Sequence, residues 1–313
     1  MSKQLTNIGS RPAAYGPAEW AMTLALSLIW GSAFLWIAIG VDSLSPGVVA
    51  FGRVALGALA LAAFPRARRR IARADWLLIV AIAIVGNAGP AWLFAQAETE
   101  IDSAVVGMIT AGTPLLTLVV SSLLLWRLPG RAQAIGIALG FVGIAMMTMP
   151  SLVGADATPV GIGLVLIATV GYALNSNLIV PLQQRYGGPA VILWALIVSS
   201  VLLFPFAVGG AADSEFTWPA VTAVVVLGAL GTGGARALAA TLAGRVGAPR
   251  MSTAAYFIPI VAIVLGVTFR GETIAPVAVA GVAVVLIGAY AATRAVGVRP
   301  ADRVERGTVN GTR

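Results

Sequence analysis

Residues 76–97 read WLLIVAIAIVGNAGPAWLFAQA, and residues 218–239 read WPAVTAVVVLGALGTGGARALA. The first stretch is free of charge between Asp75 and Glu98. At a rise of ~1.5 Å per helical residue it reaches across a hydrocarbon core of about 30 Å. The second repeats its landmarks. Trp76 meets Trp218, Gly86 meets Gly228 and Gly89 meets Gly231 at an offset of 142 residues, as Trp30 meets Tyr172. After a slip of three residues the register resumes at an offset of 145, pairing Pro114 with Pro259, Gly136 with Gly281 and Gly143 with Gly288. This is the pattern of membrane-spanning helices present in two related copies.

Further uncharged intervals cover 20–41, 103–126, 132–155, 157–184, 186–212 and 273–293. With 46–64, 216–244 and 251–269, two of which contain one arginine each, they make ten candidate spans. The fold expected is all-α and integral to the membrane, with ten transmembrane helices in two five-helix repeats. Because each repeat holds an odd number of spans, the second enters the bilayer opposite to the first, and the repeats are inverted. The expected boundaries are a cytoplasmic segment at 1–18, the first repeat at 19–150, the second at 160–293, and a basic, disordered cytoplasmic tail at 294–313. No short apolar region with a small-residue cleavage pattern precedes the first span, which is read as retained.

Composition agrees with this and removes other classes. The 313 residues are 59% hydrophobic and 10% charged, against about 25% charged in soluble domains. Histidine and cysteine are both missing, so disulfides, the usual zinc sites and haem attachment are not expected, and neither is a Ser-His or Cys-His enzyme. No cofactor, metal or catalytic residue is expected. The only lysine, Lys3, cannot serve a Walker A loop. The net charge of +8 does not signal nucleic acid, because 17 of the 20 basic residues fall in segments on one side of the spans. By the positive-inside rule that side is cytoplasmic, which puts both termini inside a plasma-membrane protein. The opposite segments hold Asp42, Glu98, Glu100, Asp102, Asp156, Asp213, Glu215 and Glu272, with Arg270 as their one cation.

Several motifs carry a family resemblance. The first half has Trp30-Gly31-Ser32 with Phe34, then Pro46, Arg53 and Thr113-Pro114-Leu115. The second has Gly231-Thr232, Gly247-Ala248, Tyr256, Pro259, Gly271-Glu272-Thr273, Gly281 and Gly288. In order and spacing the chain resembles the EamA-like members of the drug/metabolite transporter superfamily from Trp20 to Thr293. The resemblance implies a cavity near the bilayer midplane, lined mainly by helices one, three, four, six, eight and nine. It also implies transport of small metabolites, amino acids or drugs, often as efflux. One departure stands out: the first half reads Trp126-Arg127-Leu128 where the second reads Gly271-Glu272-Thr273.

Intramembrane ionisable residues are costly and therefore candidate functional groups. Arg53 lies deep in its span, and family members share an arginine there, so it is read as structural, bonded to backbone carbonyls of neighbouring helices. Arg236 stands where the family shows an apolar side chain; it either contacts substrate or snorkels inward. Trp30, Ser32, Asn87, Trp92, Gln96, Thr110, Thr113, Tyr172, Asn175 and Tyr256 complete the candidate substrate set. Pro114, Pro259 and Glu272 are read as structural, Glu272 as a helix cap or loop contact. With two arginines and no carboxylate inside the spans, the expected substrate is a small molecule bearing a carboxylate, and facilitated diffusion or exchange is expected over proton coupling. The lipid bilayer is the other partner, the assembly a monomer or homodimer. The rival to a carrier is a membrane sensor or assembly partner that moves nothing.

Overall fold

A computed structural model describes residues 16–124, 126, 129–154, 158–246 and 251–297. In chain order α1 is Pro17–Val41, α2 Pro46–Ala62, α3 Arg73–Ala97, and α4 the two pieces Ser103–Thr110 and Thr113–Leu124. Then come α5 Arg131–Gly154, α6 Pro159–Leu178, α7 Gly188–Gly210, α8 Trp218–Leu242, α9 Ala254–Arg270 and α10 Pro276–Gly297. Most of the tail expected at 294–313 falls outside the described residues, as do Arg127 and Gly247-Ala248.

Helix starts follow from local chemistry. Ser45 and Thr158 each precede a proline and accept a hydrogen bond from the backbone N–H three residues on, at 3.4 and 3.0 Å. The hydroxyl satisfies an orphan donor, and the proline sits where its missing N–H costs nothing. Pro114 has the converse effect. It disfavours helical geometry before it, and α4 bends by 42° at the break ahead of Thr113. At the matching place in α9 a 3-10 turn over Ser252–Phe257 precedes Ile258 and Pro259.

Among the described residues six helices are long and apolar enough to cross a membrane, and the bent α4 would be a seventh. Shorter apolar helices occupy Pro46–Ala62, Ala254–Arg270 and Pro276–Ala291. The outer surface is apolar, with Leu59, Leu77, Val201, Phe204 and Phe269 exposed, Leu77 by 83%. Such a surface in water would drive aggregation, whereas lipid accepts it.

Lipid provides no hydrophobic drive for helix association, so contact depends on small residues that let backbones meet. A Cβ on Gly143 of α5 would lie 2.7 Å from the Gly281 carbonyl oxygen of α10. One on Gly288 would lie 2.6 Å from the Gly136 oxygen. Moving each partner by the 145-residue offset turns one contact into the other. The glycine run at Gly231, Gly233 and Gly234 forms part of a π-helical segment, Val226–Gly234 in α8, and α3 holds its counterpart at Ile84–Ala88. In both, a side chain satisfies a carbonyl five residues back: Asn87 Nδ2 donates to Ile82 at 3.2 Å, and Thr232 Oγ1 to Leu227 at 3.1 Å.

Overpacking the α5–α10 contact with Gly143→Leu should lower stability by about 1–3 kcal/mol, read as a lower Tm in detergent. Gly163→Ala in α6, where nothing lies within 4 Å of the added carbon, should leave the Tm unchanged or slightly raised.

Candidate functional site

Close packing of α2 on α8 brings two arginines into the middle of the bundle. Gly57 of α2 sits against the Thr232 methyl, which a Cβ there would approach to 2.7 Å. This places Arg53 beside the π segment, where its Nε donates to Thr232 Oγ1 at 3.3 Å. The expected backbone carbonyl partners are replaced by a side chain, because Thr232 gives its own hydrogen to Leu227 and keeps a lone pair for the guanidinium. Nη1 of Arg53 is buried with no hydrogen-bond partner. One turn along α8, Arg236 is half-buried, within electrostatic range of Tyr172 of α6 and of Arg53. Among the described residues neither arginine forms an ion pair.

Tyr172 extends an aromatic row. Its ring lies 5.6 Å from Phe94 of α3, which meets Phe34 of α1 edge-on at 5.9 Å. Asn175, one turn from Tyr172, packs over Gly86 in the α3 π segment, and its Oδ1 is buried without a partner. Arg53, Arg236, Tyr172, Asn87 and Asn175 thus stand on or beside the two π segments.

Other candidates are directed elsewhere. The hydroxyls of Ser32, Thr110 and Thr113 turn into their own helices, donating to the carbonyls of Ile29, Val106 and Thr110. Trp92 packs on Phe206 of α7 at 6.1 Å. Trp30 packs against the cluster of Leu26, Ala235, Ala239, Leu242 and Ala254. Gln96 bonds Thr99 near the end of α3. Tyr256 is half-buried against the main core.

The end of the bundle that carries Asp42, Glu98 and Glu272, here the acidic end, is tied across the chain. Gly271 takes a left-handed turn, φ 68°, that directs Glu272 at the start of α4. There its carboxylate accepts from the Ser103 and Ala104 N–H groups at 3.0 and 2.9 Å and from the Ser103 hydroxyl at 2.6 Å. Arg270 pairs with Asp42 at the end of α1, Nη2 to Oδ1 at 3.0 Å.

Between these ties sits a group that the charge count had placed among exposed loop acids. Glu98, one residue beyond α3, is 9% exposed, and neither carboxylate oxygen has a hydrogen-bond partner. It lies beside the Ala38 backbone of α1. Burial first, and the Glu272 charge second, push its carboxyl well above the usual range, against the pull of Arg53 and Arg270. Ending each span at its first charge concealed this residue. The apolar run Phe94-Ala95 leading to Ala97 was the available signal, since it buries that end of α3.

A family model described as the EamA-like transporter family matches residues 19–149 and 159–294. The chain belongs to the EamA-like transporter family. Its relatives include an uncharacterized transporter of Archaeoglobus fulgidus, 25% identical over 88% of this chain and 99% of that one. The probable terminal-alkyne amino-acid exporter of Streptantibioticus cattleyicolor is 26% identical, over 87% and 91% of the two chains. The uncharacterized inner membrane transporter YedA of Escherichia coli K12 is 26% identical, over 81% and 83%. A crystal structure 18% identical in sequence matches with a TM-score of 0.61 over 88% of this chain and 96% of that one, a likeness of fold alone. As an EamA-like chain the protein is a multi-pass membrane protein of a transporter family, and its relatives are named as transporters and not as enzymes.

In this EamA-like chain the Glu272 cap joins the two matched regions. Glu272→Ala should leave the Ser103 and Ala104 N–H groups without their acceptor and lower stability by about 1–2 kcal/mol, measured as Tm in detergent. Glu272→Gln, which keeps an acceptor but loses the charge, should lose less.

Proposed function

We propose that this protein is a secondary transporter that exports or exchanges small metabolites bearing a carboxylate, by alternating access between two inverted five-helix repeats. The repeats correspond to 19–150 and 160–293, with α2, α9 and α10 crossing the bilayer beside the longer helices. A helix of 17 residues, as α2 is, spans about 26 Å, and flanking residues supply the remainder. The reciprocal contacts of Gly143 with Gly281 and of Gly288 with Gly136 support a two-fold relation between the halves. The arginines at 66–73 support a cytoplasmic assignment for the end opposite the acidic one, in the plasma membrane.

The observation that carries the substrate class is the pair of central arginines without a carboxylate partner, Arg53 with a free buried donor. A buried cation is costly unless paired, and a substrate carboxylate is the missing partner. The name of the Streptantibioticus relative, an amino-acid exporter, supports the same chemistry. Tyr172, Asn87 and Asn175 are the polar groups placed to orient the rest of the ligand.

Counterflow of labelled amino acids and their uncharged analogues in reconstituted vesicles tests this. Wild type should exchange the acids, and Arg236→Ala should reduce that exchange about 10- to 100-fold, the worth of one charge-assisted hydrogen bond, while sparing neutral analogues. Unchanged exchange of acids by the variant would overturn the role of Arg236. Binding without counterflow would make the protein a sensor.

A further inference from the structure

We infer that Glu98 is a second pole of the substrate site, where a substrate ammonium group and a proton bind in alternation, so that a zwitterion such as an amino acid leaves in exchange for a proton. The inference rests on the transport reading above and adds to it the cationic half of the ligand and the coupling ion.

The geometric basis is a pair of buried, oppositely charged groups with unpartnered polar atoms. Neither buried oxygen of Glu98 has a donor, and Nη1 of Arg53 is a buried donor with no acceptor, its Nε being taken by Thr232. The two act on each other electrostatically, yet they form no ion pair. Two buried complementary groups left apart are costly unless something joins them. A molecule carrying both a carboxylate and an ammonium satisfies each in one step. A single proton on Glu98 removes the cost at that pole when the ligand is gone.

Every charged group around Glu98 bears on this. Arg270 is held by Asp42, and Glu272 is held by the first turn of α4. Arg270 is thus engaged elsewhere, and Glu272 adds a like charge that opposes ionisation of Glu98. Arg53, across the bundle on α2, is the remaining countercharge. The empty site therefore favours the protonated carboxyl, as burial and the neighbouring Glu272 charge dictate. Bound zwitterion favours the carboxylate, since its ammonium replaces the proton. Binding and proton release are linked, and affinity rises with pH by up to about tenfold per unit below the carboxyl's pKa. Protonation from the acidic end, the outer face in the proposed orientation, would displace the ligand outward. Proton exchange at Glu98 is the alternative to the uncoupled transport expected from spans without a carboxylate.

Two measurements test the inference, the first needing no substrate. Infrared spectra of the wild-type protein at neutral pH should show a protonated-carboxyl carbonyl band that is missing from Glu98→Gln. A spectrum identical in the two proteins would overturn the assignment. In vesicles, labelled L-amino acids and their desamino analogues are then compared. Wild type should favour the amino acids about tenfold or more, with efflux accelerated when the outside is acidified. Glu98→Gln, a neutral isostere of the protonated form, should lose both the preference and the pH response while its Tm holds. Exchange that is pH-independent and alike in the two proteins would overturn the Glu98 inference and leave the carrier standing. No counterflow of any acid by wild type would overturn the carrier itself.

Discussion

Contact between helix backbones at glycine is the constraint on which the rest of this structure depends. Lipid does not drive apolar helices together, so this bundle coheres where side chains are small enough to let backbones touch. The α5–α10 pair does so at Gly143 against Gly281 and at Gly136 against Gly288. The α2–α8 pair does so at Gly57 and Gly233, where a Cβ on Gly233 would lie 2.8 Å from the Gly57 carbonyl oxygen. This second contact makes the polar centre possible. It brings Thr232 within reach of Arg53 and lets a guanidinium enter the bundle at a point where a hydroxyl waits for it.

The π segments solve a problem that membrane helices cannot pass to solvent. A wide turn frees a carbonyl, and within lipid that carbonyl needs a partner from the protein. Asn87 and Thr232 supply it from their own helices, five residues on. The same side chains that repair the backbone also fix the local shape of the centre. Asn175 fits over Gly86 because no side chain stands there, and Arg53 finds Thr232 because that hydroxyl is held in place from behind.

Much of this was legible in the chain itself, because packing in lipid is written in small residues and prolines. The offset of 145 that pairs Pro114 with Pro259 also pairs the helix breaks ahead of them, and it relates the two glycine contacts of α5 and α10. The slip between the two offsets has a physical counterpart: the segments begin in register at Ile84 and Val226, but α8 keeps its wide turns to Gly234 while α3 closes at Ala88. Side-chain direction was not legible. Thr110 and Thr113 are three residues apart and could have faced a ligand together, yet each hydroxyl donates to a carbonyl in its own chain segment. Trp92 packs instead on the Phe206 ring of α7. Glu98 escaped because charge was used as the boundary of a span, whereas burial extends one residue past it.

Positions paired by the 145-residue offset can share a backbone turn and differ in the residues that follow it. Trp126 has φ 50°, and Gly271, its counterpart at an offset of 145, has φ 68°. A tryptophan in the left-handed region costs roughly 1–2 kcal/mol that glycine does not, so the turn is held by the repeat geometry and not by the preference of the residue. The consequence lies in the next position, where the second half places Glu272 and the first has Arg127. Only the second half can therefore cap α4 with a carboxylate and set a negative charge beside Glu98. Remove that charge and the second cause that raises the Glu98 carboxyl disappears, leaving burial alone to oppose Arg53 and Arg270. Residues paired in sequence thus support an unequal electrostatic field, with cations in the middle and one carboxyl held out of solution at one end.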